Sequence, residues 1–179
     1  MSPQKEPVLF TGTMRSNLDP MDEYKDDQLW NALQAVQLEQ VVRELEGGLD
    51  SKVLDSGSNF SVGQKQLICL ARAILKENKI LVLDEATANT DPATDELIQA
   101  TIRSVFSHCT ILTIAHRLNT IMDSDRILVM DAGQVRQFDT PLNLLQDSNG
   151  LFSSMVDAHG QEAAKNLRRT VDEFGGIWK

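Results

Sequence analysis

Ile80-Leu81-Val82-Leu83 is a continuous apolar run with no polar residue alternating through it, and it ends on two carboxylates, Asp84 and Glu85. A run of that length without alternation predicts a strand buried on both faces, as in a sheet covered by helices on either side. Its neighbours agree. Before it, Ser61 is a good N-cap, and Leu67, Ile68, Leu70, Ala71, Ile74 and Leu75 recur at helical spacing until Lys76, Asn78 and Lys79 close the helix. After it, Asp91-Pro92 opens a second helix with proline at the first helical position and a stripe of Leu97, Ile98, Ile102 and Val105. Thr110 to Ala115 is a second buried strand. Strands alternating with helices predict an α/β fold with a largely parallel sheet, whose chemistry sits beyond the carboxyl ends of the strands.

The flanks are less regular. Val8-Leu9-Phe10 is a short apolar run before a polar loop containing Asp19-Pro20. A helix is predicted from Asp26 or Asp27, with Leu29, Trp30, Leu33 and Val36 on one face and the aspartates at its positive end. Gly47-Gly48 ends it, and a polar loop runs through Asp55 to Asn59. Further on, Ile127 to Met130 and Gln134 to Phe138 flank Asp131-Ala132-Gly133 as a hairpin. Thr140-Pro141 opens a short helix and Leu151 to Val156 forms another. From Gly160 the chain is polar and mixed in charge, with room for one more helix. The expected domain is 1–158, with 159–179 as a C-terminal tail.

A chain of 179 residues suits one domain. Its 17 basic residues stand against 26 acidic ones, a formal charge of -9, which argues against a nucleic-acid partner because coating phosphates needs a basic face. Binding one nucleotide stays open, since backbone N–H groups and one cation suffice. No apolar run approaches the ~20 residues of a membrane helix, so no direct membrane insertion by this segment is expected. Met1 to Glu6 lacks the apolar centre of a signal peptide. Cys69 and Cys109 have no metal-type spacing and read as small buried residues, consistent with a cytoplasmic setting.

Three places carry chemistry. Asp84 and Glu85 end a strand, where side chains alternate, so one acid is able to hold hydrated magnesium while the other faces a water; the plainer alternative is a pair of helix-capping acids. Ser61-Val62-Gly63-Gln64 opens a long helix and is either a natural anion site or a simple N-cap. His116 follows the second strand, where an imidazole reaches a terminal phosphate or serves structure alone. His108 and His159 have no such setting.

Taken in order, Gln4, Ser61 to Gln64, Asp84-Glu85, Asp91 and His116 resemble the ABC ATPase family, and the resemblance covers almost all of residues 1 to about 158. Gln4 matches the Q-loop glutamine. Phe60-Ser61-Val62-Gly63-Gln64 matches the signature usually written L-S-G-G-Q. Asp84 matches the Walker B aspartate, Glu85 the catalytic glutamate, Ala88-Asn89-Thr90-Asp91 the D-loop and His116 the switch histidine. Glu6 to Thr13, Asn17-Leu18-Asp19-Pro20 and the signature itself look like the second nucleotide-binding domain of subfamily C, the multidrug-resistance-associated proteins. Gly57 to Phe60 and Glu85 to Asn89 look closest to one member within it.

The resemblance implies a P-loop NTPase-like ABC ATPase domain working with ATP and Mg2+ on the cytoplasmic face of a membrane, in particular the plasma membrane. Its partners would be the first nucleotide-binding domain and the transmembrane domains of one ATP-driven exporter of organic anions or drugs. It further implies that Asp84 holds magnesium through water, with Gln4 sensing the γ-phosphate and its metal. Glu85 would be the general base and His116 a γ-phosphate contact. Ser61, Val62, Gly63 and Gln64 would reach ATP held by the partner domain, with Asp91 in the D-loop beside them.

Two departures stand out. Val62 replaces the usual glycine, which costs little beyond propensity if the position is helical, because valine keeps its backbone N–H. And no G-x-x-x-x-G-K-[ST] run occurs in the 179 residues; Gly57 to Lys65 has the wrong spacing. In this family that loop precedes the glutamine matched by Gln4, so the chain is expected to begin downstream of it and to be inactive alone. The alternative is a non-catalytic fragment that pairs with other nucleotide-binding domains. A soluble ABC ATPase of the DNA-repair or translation type fits less well, because the long coiled-coil heptads are missing.

Overall fold

The computed structural model describes residues 8–84, 90–115 and 117–174. The chain divides into two compact units, one running to Ile114 and the other starting at Ala115.

In the first unit, β1 (Gly12–Thr13) pairs antiparallel with β2 (Lys52–Val53). Thr13 caps α1 (Met14–Leu18): its hydroxyl accepts the Ser16 N–H at 3.1 Å, and Ser16 Oγ accepts the Thr13 N–H at 3.0 Å. Arg15 then fastens three pieces together. Its Nη1 and Nη2 donate to the Asp26 carboxylate at 2.6 and 3.1 Å, and its Nε donates to Asp50 at 3.1 Å. That fork holds α1 to the start of α2 (Asp26–Ala35) and to the short 3-10 turn Gly48–Asp50. Leu29, Leu33 and Val36 are fully buried, as their spacing predicts, and α3 (Glu39–Glu44) adds Val42.

α4 (Val62–Leu75) runs through this core and buries Leu67, Ile68, Leu70, Ala71 and Leu75; Ile74 is half-buried. β3 (Ile80–Asp84) and β4 (Thr110–Ile114) form a parallel pair joined through α5 (Pro92–Val105), whose Ile98 and Ile102 face the same core. The strands differ from expectation in one respect. Leu81 is buried among the helices, but Ile80 and Val82 are 60% and 61% exposed, and Leu112 and Ile114 are each 55% exposed. Helices cover one face of the pair and leave an apolar face open, so the run that predicts two-sided burial is covered on one side only. Cys69 and Cys109 are partly rather than fully buried; Cys109 Sγ donates to the Asn78 carbonyl at 2.9 Å.

Among the described residues, the second unit holds a short 3-10 turn (Leu118–Thr120), a hairpin and three α-helices. β5 (Ile127–Asp131) and β6 (Gln134–Asp139) pair antiparallel around Ala132 and Gly133. These two residues have φ of 48° and 76°, the left-handed pair that a two-residue hairpin turn needs. α6 (Pro141–Gln146), capped by the Thr140 hydroxyl, and α7 (Leu151–Asp157) follow as expected. α8 (Gln161–Phe174) turns Ala164, Leu167 and Val171 into the core formed by Ile127, Val129, Leu144, Phe152 and Val156. Arg168 fixes it by donating to Asp157 at 2.9 Å and to the Leu145 carbonyl at 3.3 Å. Among the described residues no helix is long and apolar enough to cross a membrane.

Candidate functional site

The first helix turn of α4 is built by a reciprocal cap. Ser61 is extended, with φ -65° and ψ 161°. Its Oγ accepts the Gln64 N–H at 3.1 Å, while Gln64 Oε1 accepts the Ser61 N–H at 2.9 Å. The Lys65 N–H goes to the Ser61 carbonyl at 3.0 Å. Helix geometry therefore leaves the N–H groups of Val62 and Gly63 without an acceptor inside α4, at its positive end. Ser61 is exposed, and its hydroxyl keeps a proton to donate while its oxygen serves the cap. Val62 is the first helical residue, so valine keeps the needed N–H at only a small propensity cost.

α5 starts beside this turn. Asp91 caps it by accepting the Thr94 N–H at 3.0 Å on Oδ1 and the Thr94 hydroxyl at 2.6 Å on Oδ2. The Thr94 hydroxyl, and then its backbone N–H, hold the Asp91 carboxyl below the usual aspartate range. Gly63 and Thr94 approach so closely that a Cβ on Gly63 would lie 2.3 Å from Thr94 Cγ2. Gly63 and Asp91, far apart in sequence, thus meet through one side chain.

Asp84 ends β3, in register with Ile114 at the end of β4, so the carboxylate stands at the carboxyl edge of the parallel pair. Gln4, Glu85 and His116 lie outside the described residues, as do Ala88 and Asn89 of the D-loop. Among the described residues no group of three or more His, Cys, Asp or Glu converges as a metal cage. A single strand-end aspartate fits magnesium, which keeps waters and takes its remaining ligands from a phosphate substrate.

Sequence reasoning passes over two residues that tie elements of this unit together. Thr94 sits at the third position of α5, a spacing from Asp91 that signals a cap; its contact with Gly63 has no sequence signal. Arg72 interrupts the apolar stripe of α4. It donates to the Asn17 carbonyl, to Asn17 Oδ1 at 2.7 Å and to the Val8 carbonyl at 2.8 Å, and it lies 5.4 Å from the Phe10 ring centre. Burial holds its pKa below the usual arginine value.

The ABC transporter family model matches residues 1–88. Among characterised relatives, the chain is 59% identical over 169 residues to "ATP-binding cassette sub-family C member 4" of Homo sapiens, covering 94% of this chain and 13% of that protein. It is 61% identical over 165 residues to "ABC transporter C family member 3" of Dictyostelium discoideum, covering 92% of this chain and 12% of that protein. It is 58% identical over 170 residues to "Probable multidrug resistance-associated protein lethal(2)03659" of Drosophila melanogaster, covering 94% and 12% respectively. The chain thus spans about an eighth of the length of these relatives. A solved bacterial Atm1-family ABC exporter with ATP bound matches 88% of this chain and 27% of its own, at TM-score 0.78 and 35% identity. The likeness to member 4 is in line with the resemblance of Gly57 to Phe60 and Glu85 to Asn89 to multidrug resistance-associated protein 4.

Proposed function

Because the chain belongs to the ABC transporter family, in its multidrug-resistance-associated subfamily C, we propose that it serves as part of the second nucleotide-binding domain of an ATP-driven exporter of organic anions or drugs. Its partners are the first nucleotide-binding domain and the transmembrane domains of that exporter, at the cytoplasmic face of the plasma membrane. The observation that carries the reading is the start of α4, where Ser61 and Gln64 cap each other and the first-turn N–H groups of Val62 and Gly63 have no acceptor within the helix. Such a turn binds phosphate oxygens, here those of ATP held by the opposite domain.

On this reading Asp84 holds magnesium through water, and Gln4 senses the metal and the γ-phosphate. When bound, magnesium neutralises charge on the phosphates as they separate. Glu85 takes a proton from the attacking water or orients it, and His116 donates to the γ-phosphate. Asp91 belongs to the loop that reaches between the two sites. Residues 159–179 follow the nucleotide-binding domain as its C-terminal tail, and α8 within them packs into the core of the second unit.

The signature and Glu85 then serve different ATP molecules. In the full-length protein, Glu85→Gln should leave ATP binding intact and lower hydrolysis at this domain's own site by about 10²–10⁴-fold. Ser61→Arg should instead damage the opposite site, because a bulky side chain blocks approach to the helix start. Site-resolved photolabelling and nucleotide trapping separate the two. If both substitutions impair the same bound nucleotide, the assignment is wrong.

A second reading has its own support. The 179 residues contain no G-x-x-x-x-G-K-[ST] run, the loop whose backbone N–H groups cradle ATP phosphates for in-line displacement. The chain by itself should bind other nucleotide-binding domains without turning over ATP. Magnesium-dependent hydrolysis by the purified chain, abolished by Glu85→Gln, would refute this.

A further inference from the structure

Gly63 and Asp91 lie at the starts of two different 14-residue helices, and one side chain touches both. Thr94 gives its hydroxyl to Asp91 Oδ2 at 2.6 Å. Its methyl faces the other way and occupies the space a Cβ on Gly63 would need, at 2.3 Å, with Thr94 Cβ and Oγ1 at 3.2 and 3.3 Å. Gly63 is buried, at the second position of α4 with a helical backbone, so glycine is required there by the approach of Thr94 and not by its φ. The threonine fits both demands. Serine would keep the bond to Asp91 and lose the methyl; valine would keep the methyl and lose the bond.

We propose that Thr94 is a positioning residue that sets the spacing between the start of α4 and Asp91, and so couples the signature turn to the loop before α5. The inference rests on the ATPase reading above for its consequence, but the contact itself does not. Thr94 touches no nucleotide on this account. It acts through Gly63, whose N–H has no acceptor within α4, and through the carboxylate of Asp91. A shift of a few tenths of an ångström at Thr94 moves both together.

A double-mutant cycle tests the coupling. In thermal melting of the 179-residue chain, Gly63→Ala should lower the melting temperature by about 5 °C through overpacking. Thr94→Ser removes the atom at 2.3 Å, so Gly63→Ala with Thr94→Ser should recover at least half of that loss, whereas Gly63→Ala with Thr94→Val should recover none. Additive losses would overturn the contact. Should Gly63→Ala leave no folded chain, recovery of folded chain only in the serine double variant supports the contact equally, and no recovery overturns it.

The same variants in the full-length protein read the consequence at a temperature where all are folded. Gly63→Ala should lower kcat for ATP by about tenfold or more, and Thr94→Ser should restore part of it with KM little changed. Suppression in melting without suppression in kcat would overturn the positioning role. No hydrolysis in the unaltered full-length protein would instead sink the ATPase reading, while the melting cycle still decides the contact.

Discussion

Asp91 and Arg72 show how much single side chains do in this chain. The Asp91 carboxyl is held low chiefly by the Thr94 hydroxyl. A depressed aspartate contributes stability above its unfolded pKa and loses it as pH falls through its folded value. Thr94→Val removes the leading cause, so a carbon-detected NMR titration should show Asp91 moving up toward the ordinary aspartate range. The acid-side loss from this residue should then be smaller and end at higher pH, because its folded pKa lies nearer the unfolded one. An unmoved Asp91 would mean the hydroxyl bond is not formed in solution. Arg72 satisfies carbonyls of Val8 and Asn17 from a half-buried position. Arg72→Met should cost about 2–3 kcal/mol in urea unfolding, because those acceptors lose a charged donor. Arg72→Lys should recover only part of it, since an ammonium cannot spread over the same fork. A full recovery by lysine would show that charge, not geometry, matters. Neither role is legible in the sequence. The cap spacing of Asp91 and Thr94 is visible there, but their distance to Gly63 depends on how α4 and α5 approach.

At the scale of elements, the helices with strong stripes are readable from the sequence and the strands only partly so. α4 and α5 begin and bury residues where Ser61, Asp91-Pro92 and the apolar spacing place them. β3 is a strand where its apolar run predicts one, yet its burial differs, because an unbroken apolar run does not say which layers cover it. α8 is the opposite case. Its composition is polar, but Ala164, Leu167 and Val171 fall on one face and complete the core of the second unit. Leu167→Ala should therefore destabilise that unit by about 2–5 kcal/mol. Hydrogen exchange on the hairpin β5–β6 should accelerate while amides of α4 stay protected. Unchanged exchange in the hairpin would show that α8 does not pack as described.

At the scale of the whole molecule, Ile80, Val82, Leu112 and Ile114 expose an apolar face on the parallel pair. A contiguous exposed apolar face beside strand edges favours association. The 179-residue chain should self-associate as its concentration rises in sedimentation velocity. Val82 and Leu112 face each other in register, so Val82→Lys with Leu112→Glu places opposite charges across the pair and should shift the chain toward monomer without lowering its melting temperature. A monomeric unaltered chain at about 100 μM would remove the open face as a cause of association.

The sequence by itself determined the family, the order of its motifs, the helices α2, α4 and α5, and the hairpin, because caps, turn residues and apolar spacing act over a few neighbouring positions. It also placed Asp84 at a strand end and Ser61 at a helix start, which are local facts. Only the tertiary structure decided that Thr94 sits between Gly63 and Asp91, that Arg72 holds Val8 and Asn17, that one face of β3–β4 stays open, and that α8 belongs to a core. Each of these depends on distances between elements remote in sequence, and those distances are set by the packing of whole side-chain volumes, which no short stretch of residues encodes.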